Sequence, residues 1–421
     1  MSQLEVLIVG ASIAGPTAAY WFAKAGANVT VIERFPALRT NGHNIDIRVA
    51  GVTVMRKMPG MEAAVRANKA DIEGISFVDA KGRAYGTIKP TGNPDKQSLV
   101  SEYEIARGDL SRILYDMTKD NENINYVFGE QVASIQQGPT EDGPVTVEFT
   151  GSLPTAQFDL VVACDGATSR TRSIGLGCGS RDHIVSTNSW ISFFSTDQDL
   201  GQRTKIGEAH SAVGGRFMAV GADAAGGSRI SFMGCNPRSD MESILPFRKA
   251  MQKGEDAVKD YICQLYQGVG WKANMALKCM LMSNDFYATE LVQVKLPTLS
   301  KGRFVLVGDA GYAPGPTGTG TTLAIVGAYL LAGEVCKHKG NLDAALGGYE
   351  AQMRPLINDL QKIPPLIPTL LAPQSAWGLW LRNQIFAFIC WTRVFEIVEM
   401  FSGSASASSD EFPLADYEWV A

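Results

Sequence analysis

The chain has 421 residues, of which 45% are hydrophobic, so it is long enough for two or three domains with a large core. Its formal net charge of −5 disfavours nucleic acid and anionic membrane surfaces as partners. The seven cysteines form no CxxC pair and no metal-ligand spacing with histidine. This excludes a disulfide scaffold, predicts no metal site and favours a reduced, cytoplasmic protein.

The first predicted elements are a strand, a glycine-rich turn and a helix. "EVLIVG" is a β-branched apolar run, and "GPTAAYWFAKAG" is typical of a helix. The turn matches G-x-G-x-x-G with Ser12 in the middle position; Gly10 permits the tight turn, and Gly15 lets helix and strand pack closely. Because free N–H groups at a helix start stabilise phosphates, we predict a nucleotide site here. The site begins so early that no secretory signal fits before it.

An acidic residue ends the second predicted strand, "NVTVIER". Glu33 stands where a carboxylate accepts hydrogen bonds from a ribose diol, and its charge repels a 2′-phosphate. The alternative is a plain βαβ unit in which the small residues serve packing only.

The middle of the chain has a different pattern. "ISFVDAKGRAYGTI", within residues 75–102, predicts a hairpin, and residues 184–234 carry short apolar segments that predict an antiparallel sheet. We expect half of the large side chains on these segments to face a pocket and half to join the core. These side chains are Trp190, Phe193, Phe194, Phe217, Met218, Phe232 and Met233.

Two further motifs follow apolar strands. "LVVACDGATSRTR" places Asp165 at a strand end with Arg172 nearby, although an acid in this position can also make a simple turn. "RFVLVGDAGYAPGPTGTG" places Asp309 at another strand end before a glycine-rich turn. The stretch "GPTGTGTT" lacks the lysine of a nucleotide-triphosphate loop, so we reject that alternative.

In this order the three motifs resemble those of the FAD-dependent aromatic hydroxylases, the group A flavoprotein monooxygenases with the para-hydroxybenzoate hydroxylase fold. "NIDIR" (44–48) and "EIARGDLSRIL" (104–114) also fall where such enzymes place flavin-contacting arginines. The resemblance covers about residues 1–345 and is closest to the branch that modifies tetracyclines and polyketides.

The resemblance implies an α/β fold (α+β overall). A Rossmann-like FAD-binding domain would span 1–74, 103–180 and 296–345. A mostly antiparallel substrate-binding domain would span 75–102 and 181–295, and C-terminal helices with a tail would occupy 346–421.

The resemblance also implies which residues bind the cofactor. The predicted FAD-binding residues are Gly10, Ser12, Ala14, Gly15, Glu33 and Arg34 for the ADP half, Arg48 and Arg107 for the pyrophosphate or flavin side, Asp309 for the ribityl or pyrophosphate region, Gly318, Thr319 and Gly320 for the flavin ring edge, and Asp165 and Arg172 for the motif that serves both FAD and NADPH.

Two of these residues have alternative roles, and the sequence departs from the family pattern in two places. Arg48 could instead form a surface ion pair, and Arg107 could pair locally with Asp109. Tyr312 stands where many members of the family carry histidine, and the spacing from Pro316 to the glycines is one residue shorter than usual. Because both departures lie beside the expected flavin, we expect them to affect substrate geometry.

The activity implied is an NADPH- and O2-dependent monooxygenase with tightly but non-covalently bound FAD. A flavin hydroperoxide would hydroxylate an aromatic, phenolic or polycyclic substrate, and the enzyme would be a monomer or homodimer. No catalytic side chain is identified. The alternatives are an oxidase or oxidative cyclase of the same fold that inserts no oxygen, a halogenase, whose W-x-W-x-I-P signature is not found, and a binding protein on a decayed scaffold, against which the three motifs argue.

The apolar stretch at residues 377–401 is predicted to pack within the protein rather than to lie on a membrane. Arg382, Arg393, Glu396 and Glu399 interrupt it, and the last three share one helix face.

Overall fold

The computed structural model describes residues 3–39, 42, 44–48, 50–70, 72–90, 101–138, 143–201, 204–223, 226–237, 239–363, 372–392 and 413–420. A six-stranded sheet lies at the centre of the first unit, in the order β17-β18-β11-β1-β2-β7, parallel from β18 to β7. Its strands are β1 (Glu5–Val9), β2 (Asn28–Glu33), β7 (Ile124–Phe128), β11 (Leu160–Ala163), β17 (Ser300–Lys301) and β18 (Phe304–Leu306). The strands that were predicted from "EVLIVG", "NVTVIER", "FDLVVACDG" and "RFVLVGDA" all belong to this sheet.

Both faces of this sheet are covered, which explains why its central strands β1, β11 and β18 are apolar without alternation. Most helices of this unit cover one face, and a three-stranded antiparallel sheet together with the helix Arg170–Leu176 covers the other. The helices are α1 (Ala14–Lys24), α2 (Ala50–Arg56), α3 (Met61–Asn68), α4 (Arg107–Asp116), α5 (Arg170–Leu176), α9 (Asp309–Tyr312), α10 (Gly320–Lys337) and α11 (Leu342–Leu360). The three-stranded sheet consists of β8 (Val132–Gln136), β9 (Val145–Phe149) and β10 (Ala156–Phe158). A two-stranded sheet consists of β3 (Asn44–Asp46) and β6 (Glu104–Ala106).

A seven-stranded, mostly antiparallel sheet forms the second unit, in the order β16-β12-β15-β14-β13-β4-β5. Its strands are β4 (Gly74–Val78), β5 (Ala84–Ile88), β12 (Ile184–Thr196), β13 (Ile206–Ala212), β14 (Arg216–Ala222), β15 (Ser228–Cys235) and β16 (Tyr287–Val294). The predicted hairpin is β4–β5, and it joins this sheet through β13. The predicted α/β fold is confirmed, whereas the domain boundaries at 74, 103, 181, 296 and 346 stay a prediction.

Helices pack on one face of the seven-stranded sheet. They are a 3-10 turn (Met241–Ile244), α6 (Leu245–Lys253), α7 (Glu255–Tyr266) and α8 (Ala273–Met282). Gly254, with φ of 107°, separates α6 from α7.

The C-terminal apolar stretch forms α12 (Ala376–Thr392), which packs on β5 and β4. The Phe386 and Phe77 rings meet edge to face at 4.9 Å, whereas Trp377 and Trp391 on this helix are exposed. The described helices include none that is both long and apolar enough to cross a membrane. Arg393, Glu396 and Glu399 of the predicted polar face lie outside the described residues.

The last described residues, 413–420, return to the helices beside the six-stranded sheet. Tyr329 donates a hydrogen bond to the Ala415 carbonyl at 2.8 Å, and Tyr417 donates to the buried Glu334 at 2.9 Å. The Trp419 ring lies 4.7 Å from the Trp21 ring of α1. We call residues 413–420 the C-terminal strap, because they connect α1 and α10 on the outside of the fold.

Candidate functional site

The first glycine-rich turn joins the C-terminal end of β1 to α1. A Cβ atom on Gly10 would lie 2.7 Å from the Cys164 carbonyl oxygen, and one on Gly15 would overlap the carbonyl of Gly10. Glycine is therefore required at both positions for close backbone packing. Glu33, at the end of β2, accepts hydrogen bonds from the N–H groups of Ala11 at 3.0 Å and Phe35 at 3.1 Å. The carboxylate consequently lies directly beside this turn.

Arg107, the first residue of α4, lies on the other side of the turn. Its guanidinium donates to the Ser12 hydroxyl at 2.9 Å. The expected alternative partner, Asp109, instead pairs with Arg112 at 2.5 Å. Arg107 is thus directed towards the glycine motif rather than into a local ion pair.

Arg39 is a cation in this group that the sequence reasoning missed. The Arg39 side chain is exposed and its guanidinium lies 4.5 Å from the Phe35 ring, but the surrounding protein lowers its pKa, the Arg107 charge lowers it further, and Glu33 opposes the shift. Arg34 is exposed, and its guanidinium lies 4.7 Å from the Phe35 ring. Two mutually repelling arginines beside a helix start form a site that favours an anion such as a diphosphate.

Asp309 lies at the C-terminal end of the β18 segment, between the first glycine-rich turn and the start of α10, and we call the space between these elements the cleft. Its side chain is accessible to solvent, but the protein that surrounds the carboxylate raises its pKa, and the Arg107 charge partly opposes this rise. A Cβ on Gly308, just before it, would lie 3.0 Å from the Ala14 side chain, so the first and third motifs are in contact. The strand order explains this, because β18, β11 and β1 are consecutive and parallel.

The glycine-rich turn after Asp309 leads into α10. Gly315 and Gly318 have φ of 77° and 74°, a left-handed conformation that favours glycine. A Cβ on Gly320 would lie 3.4 Å from the Asp309 carboxylate. Since Thr319 and Gly320 begin a helix of 18 residues, free N–H groups and the positive end of its dipole are directed towards the cleft.

Arg48 is held beside the start of α10 through its backbone. Its N–H donates to the Thr322 hydroxyl at 3.0 Å, and its carbonyl accepts from the same hydroxyl at 3.0 Å. Its guanidinium pairs with Asp46 at 2.6 Å. The Arg48 side chain therefore forms an ion pair, as the alternative proposed. A contact between Arg48 and a cofactor stays a prediction.

Asp165 and Arg172 make structural contacts. Asp165 accepts from the Ser169 hydroxyl and, at 3.1 Å, from the Thr171 N–H, which caps the start of α5. Arg172 is fully buried and donates to the carbonyls of Ala167 at 3.0 Å and Ala310 at 2.8 Å. Arg172 thus connects the second motif to the third, and a direct cofactor role for either residue stays a prediction.

The Tyr312 side chain does not face the cleft, contrary to our expectation that it shapes substrate geometry. It is 1% exposed, and its hydroxyl lies 3.0 Å from that of Tyr349. Gly327 leaves room for the phenol between α10 and α11. The tyrosine is accommodated in the core because its neighbour on α10 has no side chain.

The seven-stranded sheet sorts its large side chains between two faces. Trp190, Phe194, Met218 and Phe232 pack against the helices, whereas Phe193, Phe217 and Met233 lie on the opposite face and are partly buried. Cross-strand pairing of Phe217 with Met233 and of Met218 with Phe232 fixes this division.

The open face of this sheet points towards the cleft. Arg229, which pairs across the strands with Ser195 on this face, donates to the Asn44 side chain of β3 at 3.0 Å. Asp46, in the same short strand, lies near Gly318, since a Cβ on that glycine would be 3.9 Å from its carboxylate. Aromatic and thioether side chains thus face the side of the cleft on which the glycine-rich turn lies.

These elements together fit an elongated dinucleotide with a planar ring system. Glu33 could supply acceptors for a ribose, Arg107 and Arg39 could supply charge for a diphosphate, and the α10 start could supply N–H groups for an electron-rich ring edge; these roles stay predictions. Among the described residues, no group of His, Cys, Asp and Glu could hold a metal ion.

The chain matches the protein family described as "FAD binding domain" over residues 3–360. An FAD-dependent monooxygenase of Sarocladium schorii is 33% identical over 418 residues, covering 94% of each chain. A monooxygenase of Cercospora beticola is 31% identical over 419 residues, covering 98% of each chain. Among solved structures, a tetracycline destructase is similar with a TM-score of 0.76 and 27% identity, covering 99% of this chain and 100% of that one.

Proposed function

We propose a substrate class and a reductant for this chain, which belongs to the FAD-binding-domain family and is a flavin-dependent monooxygenase. The substrate is an aromatic, phenolic or polycyclic small molecule, which the enzyme hydroxylates with NADPH as reductant. NADPH and a proton supply the electrons and hydrogen, one atom of O2 enters the substrate as hydroxyl oxygen, and the other leaves as water. Bound FAD supplies the chemistry that activates O2. The protein residues bind, orient and exclude water.

The observation that carries the proposal is the arrangement at the first motif. Glu33, beside the Ala11 N–H, would accept from the adenosine ribose, and Arg107, which donates to Ser12, would contact the diphosphate. Gly10, Ala14 and Gly15 would let the backbone approach, with Arg34 and Arg48 at the two ends of the cofactor. FAD would be held non-covalently and tightly. Since Glu33 repels a 2′-phosphate, NADPH would bind at another place.

The third motif would hold the flavin end. Asp309 would bond the ribityl chain, and Gly318, Thr319 and Gly320 would approach the ring edge. The α10 dipole would stabilise negative charge on that edge. Asp165 and Arg172 would serve the motif used for both FAD and NADPH, and their contacts also fix the backbone between the motifs.

The open face of the seven-stranded sheet would supply the substrate pocket. Phe193, Phe217 and Met233 offer flat, polarizable surfaces, and Arg229 offers a polar contact at the rim. An aromatic or polycyclic ring would fit these side chains, and the name of the tetracycline destructase, a similar protein, supports a polycyclic substrate.

The deciding experiment reconstitutes the purified protein with FAD and follows NADPH and O2 consumption over a panel of phenols and polyketides. A product that has gained one oxygen atom from labelled O2 supports the proposal. Substrate oxidation or cyclisation without oxygen gain would instead identify the oxidase or cyclase alternative. Size-exclusion chromatography with light scattering tests the proposed monomer or homodimer.

One variant and a control variant at another backbone-bonded glutamate test the cofactor site. Glu33→Arg should raise the dissociation constant for FAD by about ten- to a hundredfold, because charged hydrogen bonds contribute about 1.5–3 kcal/mol. Glu130→Gln is the control, because this carboxylate also accepts from backbone N–H groups, at 2.7–3.1 Å, but between β7 and the three-stranded sheet. Equal FAD affinity in both variants would contradict the ribose assignment.

A further inference from the structure

Three consecutive carbonyls precede the glycine-rich turn. They belong to Tyr312, the last residue of the short helix α9, and to Ala313 and Pro314, which follow it. Carbonyls at the end of a helix lack intrahelical partners and must be satisfied from elsewhere. Here the partners come from two buried glutamine side chains and one backbone N–H, so the position of the turn depends on residues distant in sequence.

Gln361 follows the last residue of α11 and is 8% exposed. Its amide nitrogen lies 2.9 Å from the carbonyl oxygen of Val294, 3.1 Å from that of Ala313 and 3.3 Å from that of Tyr312, so its two N–H groups serve three acceptors, one N–H being shared. One side chain thus joins the end of α11, the end of β16 and the start of the turn. A neutral amide satisfies these acceptors without adding a charge beside the flavin-facing turn.

Gln293, on β16, completes the connection and is 5% exposed. Its amide donates to the Pro314 carbonyl at 3.0 Å and to the Gln361 carbonyl at 2.6 Å. The backbone N–H of Val294, the next residue, donates to the Ala313 carbonyl at 3.0 Å. A Cβ on Gly315 would lie 3.1 Å from the Gln293 side chain, so the turn packs directly against this residue.

The two glutamines therefore link the substrate sheet to the turn. Gln293 alternates with Leu291 and Thr289 along β16, and these residues pair with Ser189 and Ile191 of β12 on the open face. From the other side, the Thr319 hydroxyl lies 3.4 Å from the Leu360 carbonyl, next to Gln361. We call Gln293 and Gln361 the glutamine clamp.

We propose that the glutamine clamp is a pair of positioning residues that fixes the turn from Gly315 to Thr319 relative to the flavin ring. The inference rests on the proposed function, since it takes the turn to contact the flavin. FAD affinity and the reduction potential of the bound flavin then depend on two amides whose hydrogen bonds go to the protein backbone. The turn also takes its position from the strand that carries the substrate face.

The test compares Gln361→Met, Gln293→Met and the control Gln352→Met. Methionine keeps the unbranched shape but removes the donors. Gln352 lies on α11 as well, but its amide bonds Glu334 and Tyr417, away from the turn. We expect Gln361→Met to raise the dissociation constant for FAD about tenfold and to shift the midpoint potential and absorption bands of the bound flavin. In the apoprotein, amide exchange at residues 315–319 should accelerate.

The control should lose thermal stability while keeping the FAD affinity and midpoint potential of the wild type. If both clamp variants lower only the melting temperature and keep these two flavin properties, the glutamines are merely structural and the inference is wrong. If Gln361→Met does not fold, Gln293→Met, which loses two bonds rather than three, decides the question. A wild-type protein that binds no FAD would contradict the proposed function itself, whereas unchanged variants of an FAD-binding protein contradict only the clamp.

Discussion

Gly327→Ala tests whether Tyr312 is accommodated in the core by the missing side chain on α10. An added Cβ would fall well inside contact distance of the Tyr312 hydroxyl and 3.1 Å from the ring carbon that bears it. That hydroxyl lies 3.0 Å from the Tyr349 hydroxyl, which in turn donates to the Leu306 carbonyl at 2.8 Å. The substitution therefore forces the phenol away from a buried hydrogen-bonded pair.

The expected cost follows from three contributions. Overpacking a filled core costs about 1–3 kcal/mol, and losing the hydrogen bond costs about 1 kcal/mol. Alanine is favoured over glycine inside a helix by about 1 kcal/mol, which offsets part of this. We expect Gly327→Ala to lower the free energy of unfolding by about 2 kcal/mol. In a Tyr312→Phe background the clashing oxygen is gone, so the same substitution should be nearly neutral.

Urea denaturation of the four apoproteins in this cycle gives the coupling energy, which we expect to be about 2 kcal/mol. Gly347→Ala is the control, because it lies in α11 with no atom within 4 Å of an added Cβ, and it should not destabilise the protein. If Gly327→Ala costs the same with and without the Tyr312 hydroxyl, the packing argument is refuted. The departure from histidine would then need a different explanation.

Three further predictions concern the two faces of the seven-stranded sheet, the hydrogen bond between Tyr103 and Glu62, and the C-terminal strap. Phe232→Ala should cost about 3–5 kcal/mol of stability, because it empties a buried site. Phe217→Ala should instead mainly raise KM, and equal stability losses in denaturation assays would contradict the assigned faces. The Tyr103 hydrogen bond, followed by Arg66, lowers the pKa of Glu62, so this stabilisation is present above the ordinary carboxyl pKa of about 4.3 and is lost as pH falls through the lower folded value. The stability deficit of Tyr103→Phe should therefore shrink in acid, and a deficit constant from pH 7 to pH 3 would refute the pairing. Trp419→Ala should lower the melting temperature of the apoprotein by several degrees, and an unchanged melting temperature would show that the strap does not support the fold.

Local patterns predicted most of the nucleotide-binding unit. The strand, glycine and acid spacing around Gly10 and Glu33 is set within one βαβ unit, so it is visible in a short window of sequence. The neighbouring residues Phe193 and Phe194 must likewise point to opposite faces of a strand, so the sequence predicted that the sheet has two apolar faces. Which face the helices cover depends on α6 to α8, so the pattern alone could not assign them.

Long-range contacts explain what the sequence did not reveal. Arg39 lies in a loop without a motif and gains significance only beside Arg107. Gln293 and Gln361 follow no pattern, because their acceptors are backbone carbonyls of a turn elsewhere in the chain. Tyr312 lies in a motif that is expected to contact a ligand, but its side chain packs in the core because Gly327, on the next helix, leaves room for it.

The C-terminal strap affects the order in which the protein can fold during synthesis. Its Trp419 ring covers Trp21 of α1, part of the first unit to be made. Early units ordinarily fold while later ones are still being translated. Here the outer surface of α1 stays uncovered until the ribosome has added the C-terminal strap, far later in the chain. Nascent chains that stall before Trp419 therefore expose an aromatic surface on α1, and this surface is covered only when the strap is in place.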